Sequence, residues 1–286
     1  FKKPDLVRNA RAYDSYLWDA INEADSPLNT HSDGFNGALG QGGGYRHVYS
    51  KTAVMLYNLQ YVLGDTLFQN AMKNYFHEYS YAHPYFEDLR NSFIHYTHVD
   101  LNWFFDQWLE TTKNIDYAVG KVKHKGQTTD GKQEYEITFK REGLMQMPID
   151  FIIVTTEGDT SKYYIPNTWF EKETDATILP RWIGWDNNLK PEHTVTIAVS
   201  GKIKDVQIDP THRLADVNML NNSKKVPFKV SFDHKIYNRP NWKKYEAFLR
   251  PALWWNAYDG LKVGLHFNSA YYKERHKVRF SILAPT

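Results

Sequence analysis

Residues 100–109 read DLNWFFDQWL and carry the clearest structural signal in the chain. The apolar residues of this stretch share one face of an α-helix, because they recur three and four positions apart: Leu101, Phe104, Phe105, Trp108 and Leu109. Asp100 directly precedes them and is a typical helix N-cap. The pattern predicts an amphipathic helix that begins after Asp100 and needs other helices to cover its apolar face.

Similar patterns upstream predict a helical domain over residues 1–115. We expect one helix over residues 4–24, a glycine-rich loop over residues 34–45, and a second helix that carries Met55 and Leu59 and ends at Gly64. Asp65 is a candidate cap for a third helix, which extends to about Tyr79. A fourth helix follows Pro84 and carries Phe86, Leu89, Phe93 and Ile94.

The apolar period changes from 3.6 to 2 after Asn114, which indicates β-strands. Four runs show the change most clearly: residues 135–139, 149–154, 163–165 and 195–199. Short strands at this spacing predict an antiparallel β-sandwich over residues 116–211. Residues 212–286 form a linker followed by extra strands, in which Val263, Leu265 and Phe267 alternate with polar or small residues. The predicted fold class is α+β and multidomain.

Composition excludes several classes of protein. The 286 residues include 35 Lys and Arg against 33 Asp and Glu, a net charge of +2 that argues against a nucleic-acid partner held by phosphate contacts. Cysteine is absent, which excludes disulfides, zinc ribbons and thiol nucleophiles. No apolar run reaches the roughly 18 residues of a membrane-spanning helix. Because the chain opens with Phe1 rather than Met, we expect a processed or cropped piece of a longer protein.

Spacing alone does not assemble a complete active site. His77-Glu78 and His83 suggest the H-E-x-x-H zinc motif, but a spacing of six turns the two imidazoles about 240° apart on a helix. His95 and His98 could share a helical face, yet no carboxylate stands at a matching position. The triple glycine at residues 42–44 lacks the Lys-Ser/Thr ending of a phosphate-binding loop. We therefore predict no metal site within this chain.

Three stretches resemble the gluzincin aminopeptidases, the zinc family of aminopeptidase N and leukotriene hydrolase. Residues 47–56 and 63–68 resemble its Y-x-K-G-A-x-x-L…L-G-x-x-x-F motif, and residues 100–109 resemble its D-L-x-x-F-F-x-Q-W-L helix. The order and separation of the motifs match as well as their letters. The resemblance covers about residues 1–222. It implies that the helical part belongs to a thermolysin-like catalytic domain.

The resemblance implies a role for Tyr49. In the family, the tyrosine of Y-x-K-G-A donates a hydrogen bond to the oxyanion of the tetrahedral intermediate, and Tyr49 is the matching residue. Lys51 is expected to support the start of the helix. Thr52 departs from the family's usual Gly, which suggests altered packing. This role requires an opening beside the Tyr49 ring.

The family's zinc-binding motif, its downstream Glu ligand and its G-x-M-E-N strand are not found in the sequence and would precede Phe1. The resemblance therefore implies a portion of a zinc-dependent aminopeptidase acting on N-terminal peptide bonds, with zinc in the intact parent and none in this chain alone. We expect the isolated chain to be inactive. The alternative is a non-catalytic module that binds a peptide or glycan. The sequence indicates neither substrate preference nor oligomeric state.

The C-terminal segment invites two interpretations. Residues 249–264, LRPALWWNAYDGLKVG, resemble the opening strand of an outer-membrane β-barrel that follows some bacterial members of the family. Trp254, Trp255, Tyr271 and Tyr272 suit membrane interfaces. That interpretation implies outer-membrane association and a bacterial envelope location. The other interpretation is a soluble β-extension, and the sequence does not decide between them.

Overall fold

The computed structural model describes residues 8–35, 42–184, 190–233, 241–272 and 275–285. The chain divides into two compact units, Phe1–Val217 and Asn218–Thr286. The first unit contains helices followed by two β-sheets, and the second contains one further sheet. The predicted α+β class is confirmed. The predicted domain boundaries at residues 115 and 211 stay predictions.

The described part of the first unit contains five helices. The first two change type along their length: α1 is π-helical over Arg8–Tyr13 and α-helical over Asp14–Ile21, and α2 runs through Gly42–Tyr45, a π-helical turn at Arg46–Lys51, and Thr52–Leu63. The other three are regular α-helices: α3 (Asp65–Glu78), α4 (Phe86–Thr97) and α5 (Asn102–Glu110). A short 3-10 turn, Ser32–Phe35, lies between α1 and α2. The apolar stripe of α5 is buried, as its sequence predicts. Residues 4–7 of the first predicted helix lie outside the described residues.

Helix boundaries follow the predicted signals in part. Gly64 ends α2 with a backbone φ of 82°, a conformation that favours glycine. Asp65 does not cap α3: it is the first residue of that helix, and its carboxylate accepts hydrogen bonds from Gln60 and Arg213. Asp100 is not the N-cap of α5 either: that residue is Leu101, and the Asp100 carboxylate accepts the amide hydrogen of Asn102 at 3.0 Å from one position earlier.

One expectation for the course of the helices was wrong. Residues 42–45 were predicted to be loop, but α2 already begins at Gly42, because the helix continues through the π-helical turn that follows. The helix α3 ends at Glu78, close to its predicted end at about Tyr79, so His83 lies beyond the helix that carries His77.

Two sheets complete the first unit. Their seven strands are β1 (Tyr117–Gln127), β2 (Gln133–Arg141), β3 (Ile149–Thr155), β4 (Thr160–Ile165), β5 (Thr177–Ile178), β6 (Glu192–Val199) and β7 (Ile203–Ile208). The strand orders are β1-β2-β6 and β5-β4-β3-β7. All pairs are antiparallel except β4 with β5. The sheets contact each other through Phe139 and Phe151, whose ring centroids lie 4.7 Å apart.

Buried hydrogen bonds join the helices to the sheets of the first unit. The side-chain amide of Gln107 on α5 donates to the backbone oxygen of Gln146 at 3.3 Å and accepts the Gln146 amide hydrogen at 2.7 Å. The hydroxyl of Tyr61 on α2 accepts the amide hydrogen of Asp150 at 2.7 Å. These contacts hold the helices and the sheets in one compact unit.

The second unit is built on a four-stranded sheet in the order β11-β10-β9-β8. Its strands are β8 (Phe228–Phe232), β9 (Tyr245–Asn256), β10 (Gly260–Tyr271) and β11 (Arg275–Pro285). The β8–β9 pair is parallel and the other pairs are antiparallel. Across the described residues, no helix combines the length and apolar character needed to cross a membrane.

Candidate functional site

Tyr49 lies on the π-helical turn of α2 and points away from the packed interior. Its side chain is 65% exposed. Its ring stacks on Tyr45, one turn earlier, with centroids 5.1 Å apart and planes inclined by 23°. Single π-helical turns within α-helices occur frequently at functional sites. The ring is therefore restrained by stacking on one side and open to an incoming group on the other.

Lys51 lies on the opposite, buried face of the same turn. It is 3% exposed, and its Nζ atom lies 2.7 Å from Oδ2 of Asp25. The ammonium group also donates to the backbone oxygen of Ser26 at 2.5 Å. Burial lowers the pKa of Lys51, while the Asp25 carboxylate opposes that shift by favouring the charged form. The pair ties α2 to the segment that follows α1.

His47 shares the buried face with Lys51, one helical turn away. Its ring contacts Phe35 at a centroid distance of 4.8 Å. Burial lowers the pKa of His47, and the positive charge of Lys51 lowers it further. The imidazole is therefore mainly neutral at neutral pH. Because His47 and Lys51 face inward, Tyr45 and Tyr49 are placed on the outward face.

The described residues do not fit a zinc ion. Nowhere in the described ranges do three His, Cys, Asp or Glu side chains come close enough together to hold a metal. A catalytic zinc site needs three protein ligands and one open position. We therefore derive no chemical step through zinc from these residues.

One cleft of about 640 Å³ lies beside the end of α2, against β3 and β4. Its cations are matched by neighbouring carboxylates in three pairs: Lys172 with Asp150, Lys162 with Asp175, and Arg213 with Asp65. These pairs neutralise the three cations, and Glu173 adds a fourth carboxylate to the lining of the cleft. Tyr49 does not line it.

A second cleft, of about 540 Å³, has an aromatic lining that includes Trp103, Trp169 and Phe170, with His98 and Asp100 beside them. Trp169 is 80% exposed, and the guanidinium of Arg181 lies 4.9 Å from its ring centroid. Large exposed aromatic rings of this kind form platforms for sugars or apolar side chains. Tyr49 is not part of this cleft either.

The segment around Tyr49 matches a known protein family. Residues 45–108 match the peptidase family M1 domain. We call residues 45–108 the M1 segment, because they are similar to part of that domain. It includes Tyr49 and Lys51 and extends through most of α5, the helix whose sequence gave the clearest signal.

Comparison with solved structures gives a distant similarity to aminopeptidase A of Legionella pneumophila, crystallised in complex with aspartic acid. The sequence identity is 12% and the TM-score is 0.40. The alignment covers 59% of this chain and only 17% of that chain. A search of curated proteins finds no match.

Sequence reasoning missed the buried partners of the M1 segment. Asp25 and Ser26, which follow the first predicted helix, hold Lys51. The separation of 26 residues between Asp25 and Lys51 gives no local signal of pairing. Tyr45 was also missed, although its spacing of four from Tyr49 places both rings on one helical face.

Proposed function

We propose that this chain is a portion of a zinc-dependent aminopeptidase that hydrolyses N-terminal peptide bonds, with Tyr49 as the residue that stabilises the oxyanion. The observation that supports the proposal is the exposed phenol of Tyr49 on a firmly anchored turn inside the M1 segment. A peptide is the corresponding substrate. The match to a peptidase domain supports this general class of reaction.

The chemistry assigned to Tyr49 is hydrogen-bond donation. When a nucleophile attacks a peptide carbonyl, negative charge develops on the carbonyl oxygen, and a donor already in position stabilises that charge. One such donor contributes about 3 kcal/mol to the transition state, or roughly a hundredfold in rate. Lys51 acts as a positioning residue, because its contacts to Asp25 and Ser26 hold the turn that carries Tyr49.

We propose that zinc belongs to the intact parent enzyme and is held by ligands outside the described residues. There the metal would supply Lewis-acid chemistry. We further propose that the isolated 286-residue chain hydrolyses no peptide. A purified chain that cleaves an aminoacyl anilide in a chelator-sensitive way contradicts that part of the proposal.

The test of Tyr49 uses the intact parent enzyme. Tyr49→Phe removes the hydroxyl and keeps the ring, so kcat should fall by about a hundredfold or more while the zinc content is unchanged. Tyr45→Phe is the matched control, since it alters the stacked neighbour one turn away and should leave kcat nearly unchanged. Equal activities of the Tyr49→Phe variant and the wild type would remove Tyr49 from the mechanism.

A second candidate function is a non-catalytic module that binds a peptide or glycan. The observation that favours it is the aromatic cleft beside the exposed ring of Trp169. Titration of the chain with oligosaccharides and with peptides, followed by tryptophan fluorescence, tests the idea. Saturable binding that is lost in Trp169→Ala and kept in Tyr49→Phe favours the module over the peptidase.

We propose a bacterial cell-envelope location with outer-membrane association for the parent enzyme. The support comes from the second unit, whose strands expose apolar side chains. Fractionation of cells that produce the parent protein tests this location. Recovery in the cytoplasmic fraction alone contradicts it.

A further inference from the structure

The sheet of the second unit has two unlike faces. Residues opposite each other in the strand pairs share a face, so Leu253, Val263 and Ala284 point the same way, as do Pro251, Leu265 and Ile282. We call this side the apolar face; its larger side chains belong to Phe228, Val230, Phe232, Tyr245, Leu249, Leu253, Trp255, Leu261, Val263, Leu265, Phe267, Val278, Phe280 and Ile282. The opposite side, the polar face, carries most of the charged residues, including Lys229, Glu246, Arg250, Lys262, His266 and Arg279.

The apolar face is as exposed as the polar face. On the apolar face, Leu253 is 72% exposed, Ile282 66% and Leu265 58%. On the polar face, the side chains of Lys229 and Arg250 are each 54% exposed, and that of Lys262 is 27% exposed. An antiparallel sheet in water commonly packs its apolar side on a core and exposes only its polar side. This sheet leaves its apolar side exposed as well.

Polar side chains on the polar face form hydrogen bonds with other residues of the second unit. His266 Nδ1 lies 2.8 Å from Ser281 Oγ on the neighbouring strand, and Lys262 donates to Asp259 at 2.9 Å. At Gly264 a side chain would meet the backbone of β11, because an added Cβ would lie 1.8 Å from the oxygen of Ile282. The missing side chain lets the strands approach closely on this face.

Among the described residues, the apolar face is covered at one end only. Near the end of β10, Ala247, Ser269 and Tyr271 are buried, and the Tyr271 hydroxyl donates to the backbone oxygen of Trp242 at 2.8 Å. Toward the hairpin between β9 and β10, the face opens. Two aromatic residues mark that end: Trp255 is largely exposed, and Tyr258 is fully exposed.

We propose, on the basis of the membrane association proposed above, that the apolar face contacts the acyl chains of a phospholipid bilayer. Soluble monomers rarely expose a continuous apolar surface of this extent, and such surfaces mark interaction sites. Aliphatic side chains in the middle of the strands, with Trp255 and Tyr258 at the hairpin, match the order of hydrocarbon and interface in a membrane. Nearly all charged residues of the sheet lie on the polar face, and this favours hydrocarbon as the partner of the apolar face.

The geometry also limits how the sheet meets the membrane. Inside hydrocarbon every backbone N–H and C=O group needs a hydrogen-bond partner. The four described strands leave the outer edges of β8 and β11 without a neighbouring described strand. These strands alone can therefore lie with the apolar face against the acyl chains, while the edge groups keep contact with water and headgroups.

The two adjacent tryptophans of β9 provide the test, because Trp255 lies on the apolar face and Trp254 on the polar face. The full chain is mixed with vesicles of phosphatidylcholine and phosphatidylglycerol whose acyl chains carry bromine, which quenches tryptophan fluorescence on contact. Trp255→Phe should remove most of the lipid-dependent quenching, and Trp254→Phe should leave it intact. Equal effects of the two variants, or no quenching in the wild-type chain, overturn the proposal.

A second arm measures flotation with unbrominated vesicles of the same lipids. Leu265→Glu places a charge on the apolar face and should lower the vesicle-bound fraction at least about tenfold. His266→Glu, on the polar face of the same strand, is the matched control and should bind like the wild type. Circular dichroism verifies that both variants fold. A chain that dimerises and ignores vesicles would assign the face to a second copy and overturn lipid contact.

Discussion

Lys51 and Asp25 form a buried ion pair, with 2.7 Å between Nζ and Oδ2, two residues along α2 from the exposed ring of Tyr49. A buried ion pair gives little net stability relative to apolar residues, because both charges lose their hydration. The ion pair instead fixes a position: together with the contact between Lys51 and Ser26, it holds the π-helical turn against the segment after α1. The Tyr49 side chain is therefore exposed, while the turn that carries it is held in place.

Removing one partner of this pair should destabilise the first unit. In Lys51→Met the Asp25 carboxylate stays buried without its cation, and the free energy of unfolding should fall by about 3–5 kcal/mol. Denaturant unfolding of the full chain measures the change. The variant is also expected to weaken the positioning of Tyr49.

The double variant Lys51→Met with Asp25→Leu is the control for that experiment. It removes both charges and should recover much of the lost stability, since no uncompensated charge remains. If the single and double variants are equally unstable, the loss comes from packing, and the ion pair has no special role.

Gln107 joins the helices to the sheets through two hydrogen bonds with the backbone of Gln146. Gln107→Leu leaves both backbone groups of a buried residue without partners and should lower the free energy of unfolding by about 2–4 kcal/mol. Gln60→Leu removes an exposed bond to Asp65 and should change stability by less than about 0.5 kcal/mol. Similar losses in the two variants would contradict this role.

Much of the fold could be predicted because one face of each element is apolar. The alternation in β2 and β3 and the stripe of α5 are long, regular patterns set by burial, and the structure confirms them. The start of α2 at Gly42 was missed because glycine has a poor helix propensity. A π-helical turn has no sequence period of its own and was not predicted.

The candidate site was accessible to sequence reasoning only through family resemblance. Tyr49 stands in a motif, whereas its outward direction depends on the buried contacts of His47 and Lys51. Those contacts join residues distant in sequence, and no local period encodes them. The role of Tyr49 in catalysis stays a prediction.

Gly64 permits the sharp turn between α2 and α3. Its φ of 82° and ψ of 161° lie in a region that residues with a Cβ almost never adopt. An added Cβ would meet no atom closer than 3.9 Å, so the cost of Gly64→Ala is backbone strain alone. We expect a loss of about 1–3 kcal/mol in denaturant unfolding. Thr66→Ala, on an exposed position two residues later, should be nearly neutral; an equal loss there would exclude strain as the cause.

Asp209 should make the stability of the first unit depend on pH. It is fully buried, and burial raises its pKa to about 6, although Thr211 and the Leu214 amide donate hydrogen bonds that oppose the shift. Between pH 3.8 and about 6 the folded chain holds a proton at Asp209 that the unfolded chain releases. The free energy of unfolding contributed by this group therefore falls as pH rises through that window, by about 3 kcal/mol, and is constant above it.

The comparison of Asp209→Asn with Asp205→Asn isolates this contribution. Asparagine tolerates the backbone φ of 42° at position 209 and carries no titratable proton, so the Asp209→Asn variant should lose the decline in stability between pH 4 and 6. The Asp205→Asn variant alters a half-buried carboxylate four residues earlier on β7 and should keep the decline. Denaturant unfolding across pH 4 to 8 measures both. A decline that persists in the Asp209→Asn variant would place the titrating group elsewhere, because no proton at position 209 could then account for it.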